Sequence, residues 1–539
     1  MIATAIVEWV KDCLRRPVSW ISEHPADLAL ALIGLAVAML LLRWLVGWFP
    51  RGVALRPVRA PVRVGNEPDP PAGMPNHQRW YIESQKRPEF FGDCYSCSFV
   101  EFDERGDYLD FHQHKHAYQK VLGLAKASTR SKPLVLVIYV HGWRNNSQSR
   151  DVVSFNRFLS QLAAAKALSE AGSRVHGIYL GWRAANFGNT LADSDPHLVE
   201  TTDHFGQAIV DPERRAPFRS LAAFLETLGY WDRKAVPERK VAGTSFSRTV
   251  FTCAHIAKRF AHNRVLLIGH SFGGLMLERT VQNAVVGELI GAWPSSNHAP
   301  HGANPLPFDL LLSVNSAAPS IYARQFQSLM AAHYRAMQGS NPPSTEVPGT
   351  GQPVFVSITS EADWATRVAH RVANSLAWVN PALRRKYRAD DYILDVQWGT
   401  EQPMIPQYEY YGYTPGHNPL LVNRFIEAAG ADIEATEAEE LPAFNASLAL
   451  RVSRGAPLVF ETVSRAKSGV RRSYWRVGMP PDKPALKDWG RYKGTRPIAW
   501  NPDEHESAYW IVRCPKALIG DHNDIWNESA MQMYAAFIH

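Results

Sequence analysis

The chain is 539 residues long and 46% hydrophobic, with 58 Lys and Arg against 51 Asp and Glu and only 5 Cys. This composition excludes a disordered chain, a collagen-like repeat and a disulfide-stapled mini-protein, and the length leaves ample volume for a hydrophobic core. The net charge of +7 is modest and spread along the chain, without the clustered basic stripe of a nucleic-acid binder, so no nucleic-acid partner is expected.

The first element is an apolar run, LALALIGLAVAMLLLRWLVGWF, over residues 28–49, whose only charge is Arg43. At about 1.5 Å per residue such a run spans the roughly 30 Å hydrocarbon layer of a bilayer as a transmembrane helix. Arg43 can carry its guanidinium to the headgroups, and Trp44 and Trp48 fall where interfacial aromatics belong. A signal peptide would be shorter and closer to the N-terminus, so 28–49 reads as a single-pass anchor preceded by a juxtamembrane segment, 1–27. Arg51, Arg56, Arg59 and Arg63 follow the run, whereas Lys11, Arg15 and Arg16 precede it among acidic residues. That balance favours a cytoplasmic C-terminal body. Residues 50–80 are rich in proline and read as an extended linker.

The domain proper is expected over 81–539. Its opening, SCSFVEFDERGDYLDF, reads as strand, turn and strand, an antiparallel hairpin. Cys94 and Cys97 form a CxxC, but no second ligand pair at similar spacing accompanies it, so they read as ordinary cysteines rather than a metal site. Short apolar runs then alternate with helical stretches. The runs are 134–140, 175–180, 265–268, 310–314, 354–358 and 509–512, and the helical candidates are 154–171, 249–262, 274–286 and 364–377. This alternation predicts an α/β fold, a mostly parallel sheet with helices on both faces. The spacing widens near 185–245, 287–307 and 380–505, which are expected to be insertions around the sheet.

The chemistry concentrates where RVLLIGHSFGG carries a strand into Gly269-His270-Ser271-Phe272-Gly273 and then into a helix. This is G-x-S-x-G in the context a nucleophile needs: a tight turn lifts the serine hydroxyl above the sheet edge, and the following helix aims its positive end at a developing oxyanion. A second piece, LVLVIYVHGW, ends a strand in His141-Gly142-Trp143. The backbone N–H of Trp143 and that of Phe272 are the expected oxyanion donors, and His141 is expected to make a structural hydrogen bond in the loop. An acid should follow a later strand, where Asp363 is favoured over Glu361, either of which could instead be a helix N-terminal carboxylate. A base should follow the last strand; His522 fits, with His417 in GYTPGHNPLL as the rival, better suited to a lid or substrate wall.

The order Ser, Asp, His resembles the α/β-hydrolase superfamily over most of residues 90–539. More narrowly, FVEFDERG, VHGWRNN, IYLGWR, WDRK, GHSFGG, ITSEADWAT and DHNDIWN resemble a group of largely uncharacterised bacterial lipase-like hydrolases. The resemblance implies an α/β-hydrolase fold and a Ser271, Asp363, His522 triad acting on esters, with no metal or organic cofactor. The chain departs from the superfamily in the length separating Asp363 from His522. The anchor, with Trp182, Phe187, Trp231 and Phe246, suggests an apolar acyl or lipid substrate, although each aromatic read singly is equally an ordinary core residue. Arg144 and Arg183 fit either an anionic headgroup or salt bridges within their loops. The competing expectation is a catalytically silent module, tethered to the membrane and recruiting a partner through residues 420–500.

Overall fold

A computed structural model describes residues 95–103, 105–143, 145, 150–164, 168, 172–182, 184, 234–241, 244–291, 306–326, 353–373, 412–418, 421–429, 433–435, 458–466, 469–478 and 509–538. All of them belong to the compact unit Pro57–His539. The expected juxtamembrane segment 1–27, span 28–49 and linker 50–80 lie outside the described residues, as do Cys94, Arg144, Arg183, Phe187, Trp231 and the 287–307 insertion apart from residues 287–291 and 306–307. No helix among the described residues is long and apolar enough to cross a membrane.

In chain order the elements are β1 (Tyr95–Phe102), α1 (Phe111–Ala127), β2 (Leu134–Val140), α2 (Arg150–Ala164), β3 (Arg174–Trp182), α3 (Ser245–Lys258), β4 (Arg264–His270) and α4 (Phe272–Gly291). They continue with β5 (Leu310–Val314), β6 (Phe355–Ser360), β7 (Arg424–Ala428), β8 (Ile433–Ala435), β9 (Leu458–Ala466), β10 (Gly469–Gly478), β11 (Tyr509–Cys514) and α5 (Glu528–Phe537). These strands form one sheet in the order β1-β3-β2-β4-β5-β6-β11-β7-β10-β8, with β9 on β10. Every pairing from β1 through β7 is parallel, and the β7–β10, β8–β10 and β9–β10 pairings are antiparallel. All six predicted apolar runs are strands of the parallel part.

The strands read as unbroken apolar runs because both faces are covered. In β2, Val135, Val137 and Tyr139 pack with Phe155, Phe158 and Leu159 of α2 and Met531 and Tyr534 of α5. The intervening Leu134, Leu136, Ile138 and Val140 pack with Ala117 and Val121 of α1, Phe246 and Val250 of α3, and Leu275 of α4. Alternate side chains of one strand therefore serve two separate cores.

Two expectations are corrected. The opening is not an antiparallel hairpin: β1 pairs in parallel with β3, and the second half makes one isolated bridge, Phe102 to Tyr108, before α1 begins. The turn itself forms, with Asp103 Oδ1 accepting from the N–H groups of Arg105 and Asp107. Asp110 then caps α1 by accepting from His112 N, which ends the extended chain after one bridge. The 380–505 stretch is also more than an insertion around the sheet. Its described residues 424–428, 433–435, 458–466 and 469–478 extend the sheet beyond β11, with Ile426, Phe460, Trp475 and Val477 joining the core on the α2/α5 face.

Aromatic residues give a third finding. Trp182 and Phe246 are buried, Trp182 stacked on His141 at 5.9 Å and Phe246 edge-on to Phe102 at 5.3 Å, so both are core residues rather than substrate contacts.

Candidate active site

The chain order reverses between β2 and β4: β3 lies on one side of β2 and β4 on the other. Outside the carboxyl ends of neighbouring strands at such a point the connections diverge and leave a crevice. The loop after β2 and the turn after β4 meet there.

Ser271 occupies that turn with φ +54°, in the left-handed region that L side chains seldom adopt. Its N–H donates to Val314 O at 3.0 Å, and its carbonyl accepts from Ala317 N at 3.1 Å and Leu275 N at 3.2 Å. The flanking glycines are required by close approach: a Cβ on Gly269 would lie 2.6 Å from Gly274 Cα, and one on Gly273 would strike the carbonyls of Val140 and His141. That second contact is what brings the β2 loop against the serine.

His522 lies in the loop between β11 and α5, as expected of the base. Its Nδ1 is 3.0 Å from both carboxylate oxygens of Asp363, and its Nε2 is 2.9 Å from Ser271 Oγ. An ionised carboxylate only accepts, so Nδ1–H is the donor and Nε2 is left bare to accept from the serine hydroxyl. Asp363 follows β6 and is fully buried. Burial pushes its carboxyl up, but the hydrogen bonds and charge of His522, together with the Thr366 hydroxyl and N–H, outweigh it and hold the carboxyl below its ordinary range. The same side chain that meets His522 also caps the first turn of the helical segment 364–373, through Thr366 N–H at 3.0 Å.

Glu361 is exposed and does not reach His522; its backbone N–H donates to Cys514 O at 3.0 Å. It is His522, not His417, whose ring meets Ser271 Oγ and the Asp363 carboxylate. His417 is buried in the turn Pro415–His417, and burial lowers it to about 4, so it is neutral. Arg513 pins this turn to the sheet by donating to Gly416 O at 3.0 and 3.1 Å.

The expected oxyanion residues flank the serine. The rings of Trp143 and Phe272 are 6.0 Å apart, and a Cβ on Gly142 would sit 3.0 Å from Ser271 Cβ. His141 is structural, as expected: Nδ1 donates to Gly142 O at 2.8 Å, Nε2 accepts from Trp182 N at 3.0 Å, and burial lowers it to about 4.

Three residues in this site were not foreseen. Asn315, after β5 and also left-handed at φ +46°, accepts from Ser360 N at 3.0 Å and donates to Asp521 O and His522 O at 3.2 and 3.1 Å. His270 donates from Nε2 to the same His522 carbonyl at 2.8 Å. Asp151 of α2 accepts from Tyr139 Oη, Tyr179 Oη and Trp526 Nε1 at 2.9, 3.1 and 2.9 Å, joining the start of α2 to the base loop. The available signal was Asn315 directly after an apolar strand, because asparagine tolerates the left-handed conformation.

No protein-family model matches this chain, and no curated protein matches it.

Proposed function

We propose that the chain is a membrane-anchored serine hydrolase of lipase or esterase type that cleaves carboxylic esters through an acyl-enzyme on Ser271. The observation that carries this reading is the unbroken relay Ser271 Oγ, His522, Asp363, with both His522 ring nitrogens engaged. The fold reading is that of an α/β-hydrolase. Its support is the succession of functional loops after β2, β4, β6 and β11 in a parallel sheet; the parallel β1 departs from the antiparallel opening expected of it.

In this mechanism Ser271 Oγ attacks the ester carbonyl as His522 Nε2 takes its proton. Asp363, kept ionised, fixes the imidazole tautomer and stabilises its charged form. The amides of Trp143 and Phe272 receive the oxyanion, aided by the positive end of α4. His522 returns the proton to the leaving alcohol, and water then repeats the attack on the acyl-enzyme. The partly buried Trp143 ring, next to the glycine that closes on Ser271, favours an apolar acyl group. The apolar run 28–49 supports single-pass anchorage, with the body on the cytoplasmic side.

A fluorophosphonate probe tests the reading. Labelling should map to Ser271 and vanish in Ser271→Ala, and the labelled enzyme should lose turnover across a panel of acyl esters. A folded protein that does not label at Ser271 would instead be the silent, partner-recruiting module. Anchorage is tested separately by washing membranes with high salt and alkali, which should leave the full chain in the pellet.

A further inference from the structure

The helical segment 364–373, WATRVAHRVA, starts at the residue after Asp363 and presents an unusual surface. Trp364 is 67% exposed, Val372 53% and Val368 38%, on the same face as the exposed Arg367 and Arg371. The opposite face is inward, with Thr366 and His370 buried. Large apolar side chains at successive turns, left in water while the rest of the helix is packed, are costly unless something covers them.

Charge selects among the possible covers. The segment has two arginines and no acidic residue, and Arg371 lies 4.7 Å over the ring of Tyr413, which holds its guanidinium at the edge of the apolar stripe. Tryptophan, valines and arginines on one face are the composition of a helix lying in the headgroup layer of an anionic bilayer. A neutral partner surface would match the apolar stripe but gives no reason for Arg367 and Arg371 on the same face. The sequence also supplies the bilayer, in the apolar run 28–49, and a long Pro-rich stretch that lets the body reach it.

We propose that the exposed face of 364–373 is a second membrane contact, seating the body on anionic lipid beside the loop that carries Asp363. The proposal rests on the anchored reading of the chain but not on ester hydrolysis.

The test uses the full chain with Cys13→Ser and Cys94→Ser, because Cys97, Cys253 and Cys514 are buried. An environment-sensitive fluorophore is placed at Trp364→Cys or, as a reference in the exposed turn before β2, at the other end of the parallel strands, at Ser131→Cys. The protein is reconstituted into phosphatidylcholine–phosphatidylglycerol vesicles carrying nitroxide-labelled acyl chains. Quenching should be several-fold stronger at 364 than at 131 and weaker in phosphatidylcholine alone. Arg367→Gln and Arg371→Gln should each shift docking by about fivefold, the equivalent of about 1 kcal/mol per surface arginine. Equal quenching at the two sites overturns the proposal. A blue-shifted but unquenched label at 364 also overturns it, assigning the face to another segment of this chain or to a second copy. The measurement is repeated in Ser271→Ala: quenching without turnover in the unmodified serine enzyme would refute the esterase reading alone, and turnover without quenching would refute the membrane contact alone.

Discussion

The side-chain amide of Asn315 donates to the main-chain carbonyl of His522 at 3.1 Å, while its oxygen accepts from Ser360 N at 3.0 Å, two residues before the acid-loop turn is complete. One amide thus spaces the loop that carries the acid from the loop that carries the base. Since His270 donates to the same carbonyl, the imidazole is located through its own backbone as well as through Asp363. Asn315→Gly retains the left-handed conformation without strain but removes all the side-chain bonds. Loss of positioning at this scale should lower kcat for an activated ester by roughly 10- to 100-fold with KM nearly unchanged. Stability should fall by about 1–3 kcal/mol from the buried groups left unpaired. Wild-type kcat in a folded Asn315→Gly enzyme would show that Asp363 alone suffices.

At Ser271 the strained backbone makes two inactive variants differ in stability. Alanine must still adopt φ +54°, whereas glycine does so freely. Ser271→Gly should therefore be the more stable of the two by about 1 kcal/mol, with neither hydrolysing esters. Denaturant unfolding of the pair measures the difference; equal midpoints would mean the turn is not strained in solution.

His522→Ala and His417→Ala should separate cleanly. The first removes the base and should cut turnover by several orders of magnitude with little change in stability. The second removes a ring buried in the turn Pro415–His417. It should cost about 1–3 kcal/mol of stability and lower kcat modestly, without a selective rise in KM. A large KM effect from His417→Ala with normal stability would return His417 to the substrate wall.

A pH effect on stability should originate at Glu278 of α4, about two turns past Ser271. Its carboxyl is pushed up to about 7 by burial, against hydrogen bonds from Ser313 and Ser316. In the folded protein it holds a proton that the unfolded chain has already released, so this group destabilises progressively as pH rises from its unfolded value, near 4.5, to about 7. Above that window the accumulated cost is on the order of 3 kcal/mol. Glu278→Gln keeps an acceptor for the serines without a charge. It should raise the unfolding midpoint at pH 8 but not at pH 4, and a constant difference across that range would contradict the assignment.

The parts of this site that were legible from sequence are those governed by short-range rules. G-x-S-x-G between an apolar run and a helix predicts a nucleophile turn because only glycine escapes the steric contacts that structure finds at Gly269 and Gly273. His141-Gly142-Trp143 and His522 were legible for a related reason, as loops at the ends of recognisable strands. Asp363 was distinguishable from Glu361 by its place at the start of a helix. Tertiary structure alone decided the direction of β1, the entry of β7 to β10 into the sheet, the burial of His417 and the clamp by Asn315 and His270. Each of these depends on which strand ends become neighbours, and pairing distant segments is a property of the whole chain, whereas turn sterics and side-chain periodicity act over a few residues.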